Sequence, residues 1–415
     1  MKFIEEKGRR TPITDEADVI VAGGGPAGVA AAIGSSRLGV KTMLIERYGC
    51  LGGLATGGLV ITLVETKRYG MGVVREVIER LEALGGARLS RPSGESNLWK
   101  EGASFSGEES VHVDPELMKH VLNEMVMEAG VDMLMHSLVV GVDTEGGSIR
   151  NVILEDKSGR HAVSGKVFVD ATGDADVVAA AGAPFSHDRH PWGINIDFRL
   201  GSVDVAKERR FREEHPEEHQ RVLDGLSELV GGRMYWEPSV REGIVWGGAP
   251  HLYDVDGLDP RGLTRVEVEG RRALVKGLEH IRSRMPGMEG AFLLDTSSQV
   301  GVRETRRIEG EYTLTKEDEV AGRRFEDAVA SSLFDIPYRC LVPKKVGNLL
   351  VGGRCISTTH EAQGPIRNIP PCMVTGQVAG VAAALSVKRR VKPRELDPRE
   401  LREALIKQGF HALED

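Results

Sequence analysis

The chain has 415 residues, 40% hydrophobic and 28% charged, which is enough for two domains or one large domain with an insertion and is ordinary for a globular protein. A formal net charge of −8 leaves no basic footprint for nucleic acid or an anionic membrane. No run of ~18 apolar residues occurs and the opening MKFIEEKGRR is too charged for a signal segment, so a cytoplasmic location with neither nucleic acid nor membrane as partner is the expectation.

The first element with chemical content is DVIVAGGGPAGVAAAIGSSRLGVKTMLIE, Asp18 to Glu46. An apolar run meets a glycine turn, small residues follow at helical spacing, and a second apolar run ends on an acid. Strand, turn, helix and strand are predicted, with Gly23, Gly25 and Gly28 at the G-x-G-x-x-G positions. Gly23 permits the sharp turn, Gly25 lets a pyrophosphate approach the backbone, and Gly28 lets the helix pack closely on the strand. Pro26 and Ala27, between the second and third glycines, belong to the same site. The helix N-terminus offers unpaired N–H groups to phosphates. Glu46 stands where a carboxylate accepts hydrogen bonds from ribose hydroxyls and repels a 2′-phosphate, which disfavours NADP. A dinucleotide site is predicted.

Glycine pairs at Gly52–Gly53 and Gly57–Gly58 then suggest backbone lying against a ligand, because each glycine costs conformational entropy in a plain loop. A helical period covers Val73 to Leu84, and Ser90 to Ser110 reads as a loop or lid. Asp114-Pro115 starts a helix as N-cap and first helical residue. Leu138–Val142, Ile149–Leu154 and Ala162–Val163 read as three strands of a meander, and a further strand, Lys166–Asp170, runs into ATGDAD. Gly182 to about Asp335 mixes aromatic and charged residues, with an exposed helix over Val205–Leu229 and another over Val266–Met285. Arg303, Arg306 and Arg307 there either meet an anionic substrate or pair with Glu304, Glu309 and Glu311. The strand Asn348–Val351 ends on Gly352-Gly353-Arg354, and a loop carries His360 and Arg367. A helix then starts at Pro370-Pro371, with Gly376 and Gly380 making a flat packing face. The tail from Pro393 reads as a short solvent-facing helix. Cys50, Cys340, Cys355 and Cys372 form no C-x-x-C pair, which argues against a redox disulfide and a zinc ribbon and for thiols in a reducing compartment.

The glycine fingerprint with Glu46, the strand into Ala171-Thr172-Gly173-Asp174 and the late Gly-Gly-Arg before a small-residue helix together resemble the glutathione-reductase-type FAD-binding fold. More closely, ERYGCLGGLAT, VGVRETRRI, IPYRCLVP and VGGRCIS followed by GQVAG resemble a family of FAD-dependent oxidoreductases. The resemblance implies an α/β architecture: a three-layer Rossmann-like FAD/NAD(P)-binding domain with an inserted α+β substrate domain. Residues 15–60, 111–184 and 336–390 would form the FAD-binding part, 61–110 a substrate-side segment, 185–335 the substrate domain and 391–415 a C-terminal helix. It also implies FAD as cofactor. Gly23, Gly25, Gly28 and Glu46 would hold its ADP half, with Arg47 near the adenosine and Val139 holding the adenine by its backbone. Ala171, Thr172, Gly173 and Asp174 would line the dinucleotide turn, and Gly52, Gly53 and Ala55 the ribityl chain or flavin edge. Gly353-Arg354 replaces the usual Gly-Asp pair that binds ribityl hydroxyls, so Arg354 would contact a phosphate instead. The helix near Pro371 would point at the flavin N1–C2=O edge. His360 is expected as a general base and Arg367 as a partner for a substrate carboxylate or a flavin carbonyl.

The expected function is hydride transfer between a small organic substrate and flavin N5, with an external electron donor or acceptor as a further partner. A flavin monooxygenase or halogenase is the first alternative, and a flavin-containing nucleotide-binding or tRNA-modifying protein the second. One glycine fingerprint and no paired cysteines argue against the disulfide reductases.

Overall fold

The computed structural model describes residues 8–90, 110–188, 192–331 and 334–410. Its organising element is a sheet of parallel strands in the order Asp132–Leu134, Thr42–Ile45, Ile13–Ala22 and Gly159–Asp170, with Leu349–Val351 parallel to the last half of Gly159–Asp170. The central strands are apolar on both faces, as strands covered on both sides must be. Val19, Ile20, Val21, Leu44, Val169 and Leu350 are completely enclosed. The first half of Gly159–Asp170 pairs antiparallel with Ser148–Asp156, and that strand with Leu138–Glu145. The sequence pattern predicts two strands over this stretch; they are one, because His161 to Asp170 runs unbroken beside Ile13–Ala22.

Two helices brace one face of the sheet, and their contact explains the small residues in both. Pro26–Ser36 packs along Ile369–Arg389 so closely that a Cβ on Gly376 would sit 2.1 Å from the Ala27 carbonyl oxygen, and one on Gly380 1.9 Å from that of Ala31. Glycine is therefore required at both positions, as their four-residue spacing predicts. Ile369–Arg389 is also the only described helix long and apolar enough to cross a membrane, but its whole apolar window is buried in the core. Helix Pro115–Glu128 starts as expected, with Asp114 accepting from the N–H groups of Glu116 (3.0 Å) and Leu117 (3.2 Å).

A second apolar core lies between residues 194 and 302. Here an antiparallel sheet in the order Tyr235–Pro238, Val245–Gly248, Asp197–Gly201 and Phe292–Thr296 is backed by helix Pro260–Arg284. Gly270 of that helix lies where a Cβ would meet Ile196 at 2.8 Å. The predicted helix over Val205–Leu229 is two helices, Val205–Glu214 and Pro216–Val230. Pro216 has no N–H to continue the first helix and suits the start of the second. The tail helix, Pro398–Ile406, is not simply solvent-facing, since Leu401, Leu405 and the following Phe410 are buried. The predicted loop or lid over Ser90–Ser110 lies almost wholly outside the described residues.

Candidate active site

The parallel strands Ile13–Ala22, Thr42–Ile45, Gly159–Asp170 and Leu349–Val351 all end at one edge, and the chain leaves each by a turn. A crevice outside the carboxyl ends of parallel strands is where open α/β sheets bind ligands. Between these turns and the second sheet lies a cleft of about 2580 Å³, more than twice the roughly 1,000 Å³ at the upper end of drug-sized sites.

The three fingerprint glycines have three different surroundings. Gly23 adopts φ 99°, and a Cβ on it would lie 2.6 Å from the Ala171 carbonyl oxygen, so the first turn and the Ala171-Thr172 turn press on each other. Gly28 is outside the cleft wall; its Cβ would fall 1.7 Å from the Gly23 carbonyl oxygen, so it sets the helix against the strand. Gly25 lines the cleft and has open space where its Cβ would be. Pro26 and Ala27 line the cleft beside it. Gly24, which the fingerprint does not include, is equally constrained, because a Cβ there would meet Leu51 at 2.7 Å. The middle glycine of the GGG run was the available signal.

Glu46 lines the cleft at the end of its strand and accepts hydrogen bonds from the N–H groups of Gly24 (2.6 Å) and Tyr48 (2.8 Å). Burial raises its carboxyl above the usual range, and those two donors oppose the rise. Arg47, exposed with its guanidinium 4.8 Å from the Tyr48 ring centre, and Val139 line the same end. At the next turn Asp170, fully buried and raised to about 6 by burial, ties the chain down through Thr172 Oγ1 (2.6 Å) and the Val178 N–H (3.0 Å). Ala171, Thr172, Gly173 and Asp174 then line the cleft.

Arg354 lines the cleft and is paired within the chain. Its Nη2 donates to Asp174 Oδ1 at 2.8 Å, and its guanidinium occupies the space where a Gly173 Cβ would lie. Asp174, which also accepts from Thr305 Oγ1 (2.7 Å), is lowered on balance: burial pushes it up, but Arg354 and Thr305 outweigh burial. Gly53 and Gly353 line the cleft, whereas Gly52 and Ala55 lie behind its wall, Gly52 turning the chain at φ 97° and Ala55 fully buried. Pro371 is also behind the wall and has no N–H to give. With proline at the second and third helical positions, Ile369 holds the one backbone donor of those three.

His360 and Arg367 are separated by the structure. They bracket a short helix, His360–Ile366, rather than lying in a loop, because Thr359 caps it through the Ala362 N–H. His360 is not on the cleft wall: Nδ1 is 2.6 Å from Glu304 Oε2, and its ring stacks on Trp192 at 4.9 Å between ring centres. Arg307 donates to the other oxygen of Glu304, as the pairing expectation has it, and also to Asp188, whereas Arg306 pairs with Asp176 and not with Glu304, Glu309 or Glu311. Arg367 does line the cleft, with its guanidinium 5.4 Å from the centre of the Trp192 ring, and burial lowers its pKa to about 10.

The second sheet contributes a group that the motifs miss. Asp197 lines the cleft although only 6% exposed, accepts from Asn195 Nδ2 at 2.8 Å, and is raised to about 7 by burial, against the pull of Arg303. Beside it Arg303 donates to the Gly193 carbonyl and to His251 Nε2 (2.7 Å). Burial and the charges of Arg303 and Arg367 lower His251 to about 3, so it is a neutral acceptor. An acid on the polar positions of the alternating stretch Gly193–Leu200 was the one sequence signal for Asp197. A dinucleotide flavin fits these residues. Gly25 is open to the cleft, and several buried nitrogens on its wall, among them Gln299 Nε2, Arg354 Nε, Arg367 Nε and Asn368 Nδ2, have no hydrogen-bond partner.

The sequence matches the family described as FAD dependent oxidoreductase over residues 18–334 and 331–405. Thiamine thiazole synthase of Methanococcus vannielii is 29% identical over 177 residues, 40% of this chain and 59% of that protein. Mitochondrial dihydrolipoyl dehydrogenase 1 of Arabidopsis thaliana is 49% identical over 51 residues, 12% of this chain and 10% of that one. The chain thus spans less than two thirds of these relatives. Among solved structures, a geranylgeranyl bacteriochlorophyll reductase-like protein of Thermoplasma acidophilum superposes with a TM-score of 0.52 at 16% identity, over 95% of this chain and 84% of that one. The p-nitrophenol 4-monooxygenase PnpA of Pseudomonas putida DLL-E4 gives 0.52 at 12%, over 95% and 85%. At such identities the likeness is one of fold. The fingerprint turn, its acid and the family match together identify the chain as a member of the FAD-dependent oxidoreductase family, an enzyme with FAD as its cofactor.

Proposed function

We propose that the protein is an oxidoreductase that exchanges a hydride between a small organic substrate and FAD, within a fold of the glutathione-reductase type. The observation that carries this reading is Asp197: a cleft-lining carboxyl with a pKa near 7, presented by the second sheet opposite the turns that would hold the cofactor. The Gly23–Ala27 turn and Glu46 would hold the ADP half of FAD, and Gly53, Gly173 and Gly353, which line the cleft, would lie along its extended chain. FAD, when bound, supplies the two-electron acceptor or donor. The chain itself handles the proton. A carboxyl poised near neutrality can take a proton from a substrate hydroxyl or amine, or return one, at little cost. Arg303 beside it favours the ionised form, Asn195 fixes its orientation, and the second sheet shields it from bulk water. His360, held by Glu304 and covered by Trp192, serves to brace the wall and not as the base.

Purified protein should show oxidised-flavin bands that dithionite abolishes, and an anaerobic substrate screen should find organic compounds that bleach them. Asp197→Asn should keep its flavin and slow bleaching by about 10²–10⁴. Unchanged bleaching would remove Asp197 from the chemistry. A second reading, oxygen activation, draws on the fold shared with the p-nitrophenol monooxygenase. It predicts an oxygenated product in air, whereas the dehydrogenase reading predicts peroxide or reduced acceptor without one.

A further inference from the structure

Of the arginines on or just behind the cleft wall, five fall into two groups. Arg306 pairs with Asp176, Arg307 with Glu304 and Asp188, and Arg354 with Asp174. Arg303 and Arg367 line the cleft, and neither forms an ion pair with any described carboxylate. Arg303 is held only by a carbonyl and by neutral His251. Arg367 has a buried Nε without a partner and lies over Trp192, a contact that orients the guanidinium without pairing it to a carboxylate.

We infer that Arg303 and Arg367 form a carboxylate-binding wall, and that the substrate is a small organic acid whose apolar body lies against Trp246 and Tyr235. The inference rests on the oxidoreductase reading and names the substrate class of that same site. Two guanidiniums that repel each other on a largely desolvated wall are costly unless an anion joins them. Glu304 acts on Arg367, and Asp197 faces Arg303, but neither carboxyl forms an ion pair with these guanidiniums. Glu304 is committed to Arg307 and His360, and burial keeps Asp197 protonated up to near neutrality. The N-terminus of helix Ile369–Arg389, with Asn368 and Ile369 on the wall, adds positive potential to the same region. The phosphates of FAD would belong at the Gly23–Ala27 turn, whereas Arg303 borders the second core and Arg367 follows the helix His360–Ile366, away from that turn in the sequence. Planar, bidentate guanidinium donors suit a carboxylate. The edge-to-face rings of Tyr235 and Trp246, 5.9 Å between centres and both on the wall, suit a flat apolar body.

The test titrates the FAD-loaded protein with benzoate, benzamide and inorganic phosphate, followed by flavin absorbance and by tryptophan fluorescence. Benzoate should bind at least about tenfold more tightly than either of the others. Arg303→Met and Arg367→Met should each weaken benzoate about tenfold or more while retaining flavin, and Arg303→Lys should recover part of the loss. Equal binding of benzamide, tighter binding of phosphate, or benzoate binding indifferent to both Met variants would overturn the inference. So would a Met variant that shifts the flavin potential without touching benzoate affinity, since the arginines would then serve the cofactor. Arginine-dependent benzoate binding in a protein whose flavin no organic compound bleaches would refute the hydride-transfer reading and leave the carboxylate wall standing.

Discussion

Asp197 offers a thermodynamic test that needs no substrate. Its carboxyl titrates near 3.8 in an unfolded chain and near 7 in the folded protein. Between those values the folded state binds the extra proton, so stability falls as pH rises through this window. At about 1.4 kcal/mol per pKa unit the full effect is roughly 4 kcal/mol. Most of it develops above about pH 5, and linkage gives a change of roughly 2–3 kcal/mol between about pH 5 and about pH 8. Asp170 and Glu46 are raised as well and slope the same way, so the diagnostic quantity is the difference between two proteins. Asp197→Asn keeps an oxygen for the Asn195 amide and removes the titration. Urea unfolding of both proteins at the two pH values should show the variant gaining on wild type by that amount at the higher pH. Parallel pH dependence would mean that Asp197 titrates normally, and its proposed role in proton transfer would fall with it.

Gly28→Ala and Gly25→Ala should part company. The first drives a Cβ into the Gly23 carbonyl at 1.7 Å and should cost about 1–3 kcal/mol or more by thermal melt, with flavin lost as a result. The second meets open space at an ordinary φ of −68°, so the flavin-free melt should move by less than about 0.5 kcal/mol while FAD affinity drops severalfold on titration. Arg354→Met leaves Asp174 buried without its cation and should destabilise by about 3 kcal/mol in urea, whereas Arg306→Met, at a more exposed pair, should cost about 1 kcal/mol or less. Asp114→Ala removes a cap on two N–H groups and the 2.8 Å ion pair to Arg241, and should lower stability by about 1–2 kcal/mol.

The parts legible in the sequence are those whose physics is local. A turn that needs φ 99° at Gly23, a helix capped by Asp114-Pro115 and a glycine pair spaced by one helical turn all leave their mark within a few residues. The end of the cleft at the Gly23 turn is built from such signals. The other end is built from partners far apart in the chain. Asp197 acquires its pKa from a sheet whose strands span residues 197 to 296, and Arg303 meets His251 across 52 positions. Nothing in the local pattern separates Arg303 from Arg307, although one faces the cleft and the other is buried against Glu304. His360 is a like case: its place between two glycine-rich segments is visible in sequence, but the carboxylate and the indole that hold it are not.

The contact between helices Pro26–Ser36 and Ile369–Arg389 also sets an order of events in folding. Ala27 and Ala31 lie against Gly376 and Gly380, and Ala27 also abuts Gly353. During synthesis, therefore, the fingerprint turn can form early, but the helix behind it stays uncovered until more than 300 further residues have emerged. Closing so long a loop is slow, and the exposed alanine face is then a place for wrong partners to bind. Cofactor loading becomes a late step that reports completion of the chain: a protein truncated before residue 376 keeps every residue of the glycine fingerprint and has nothing to hold it shut.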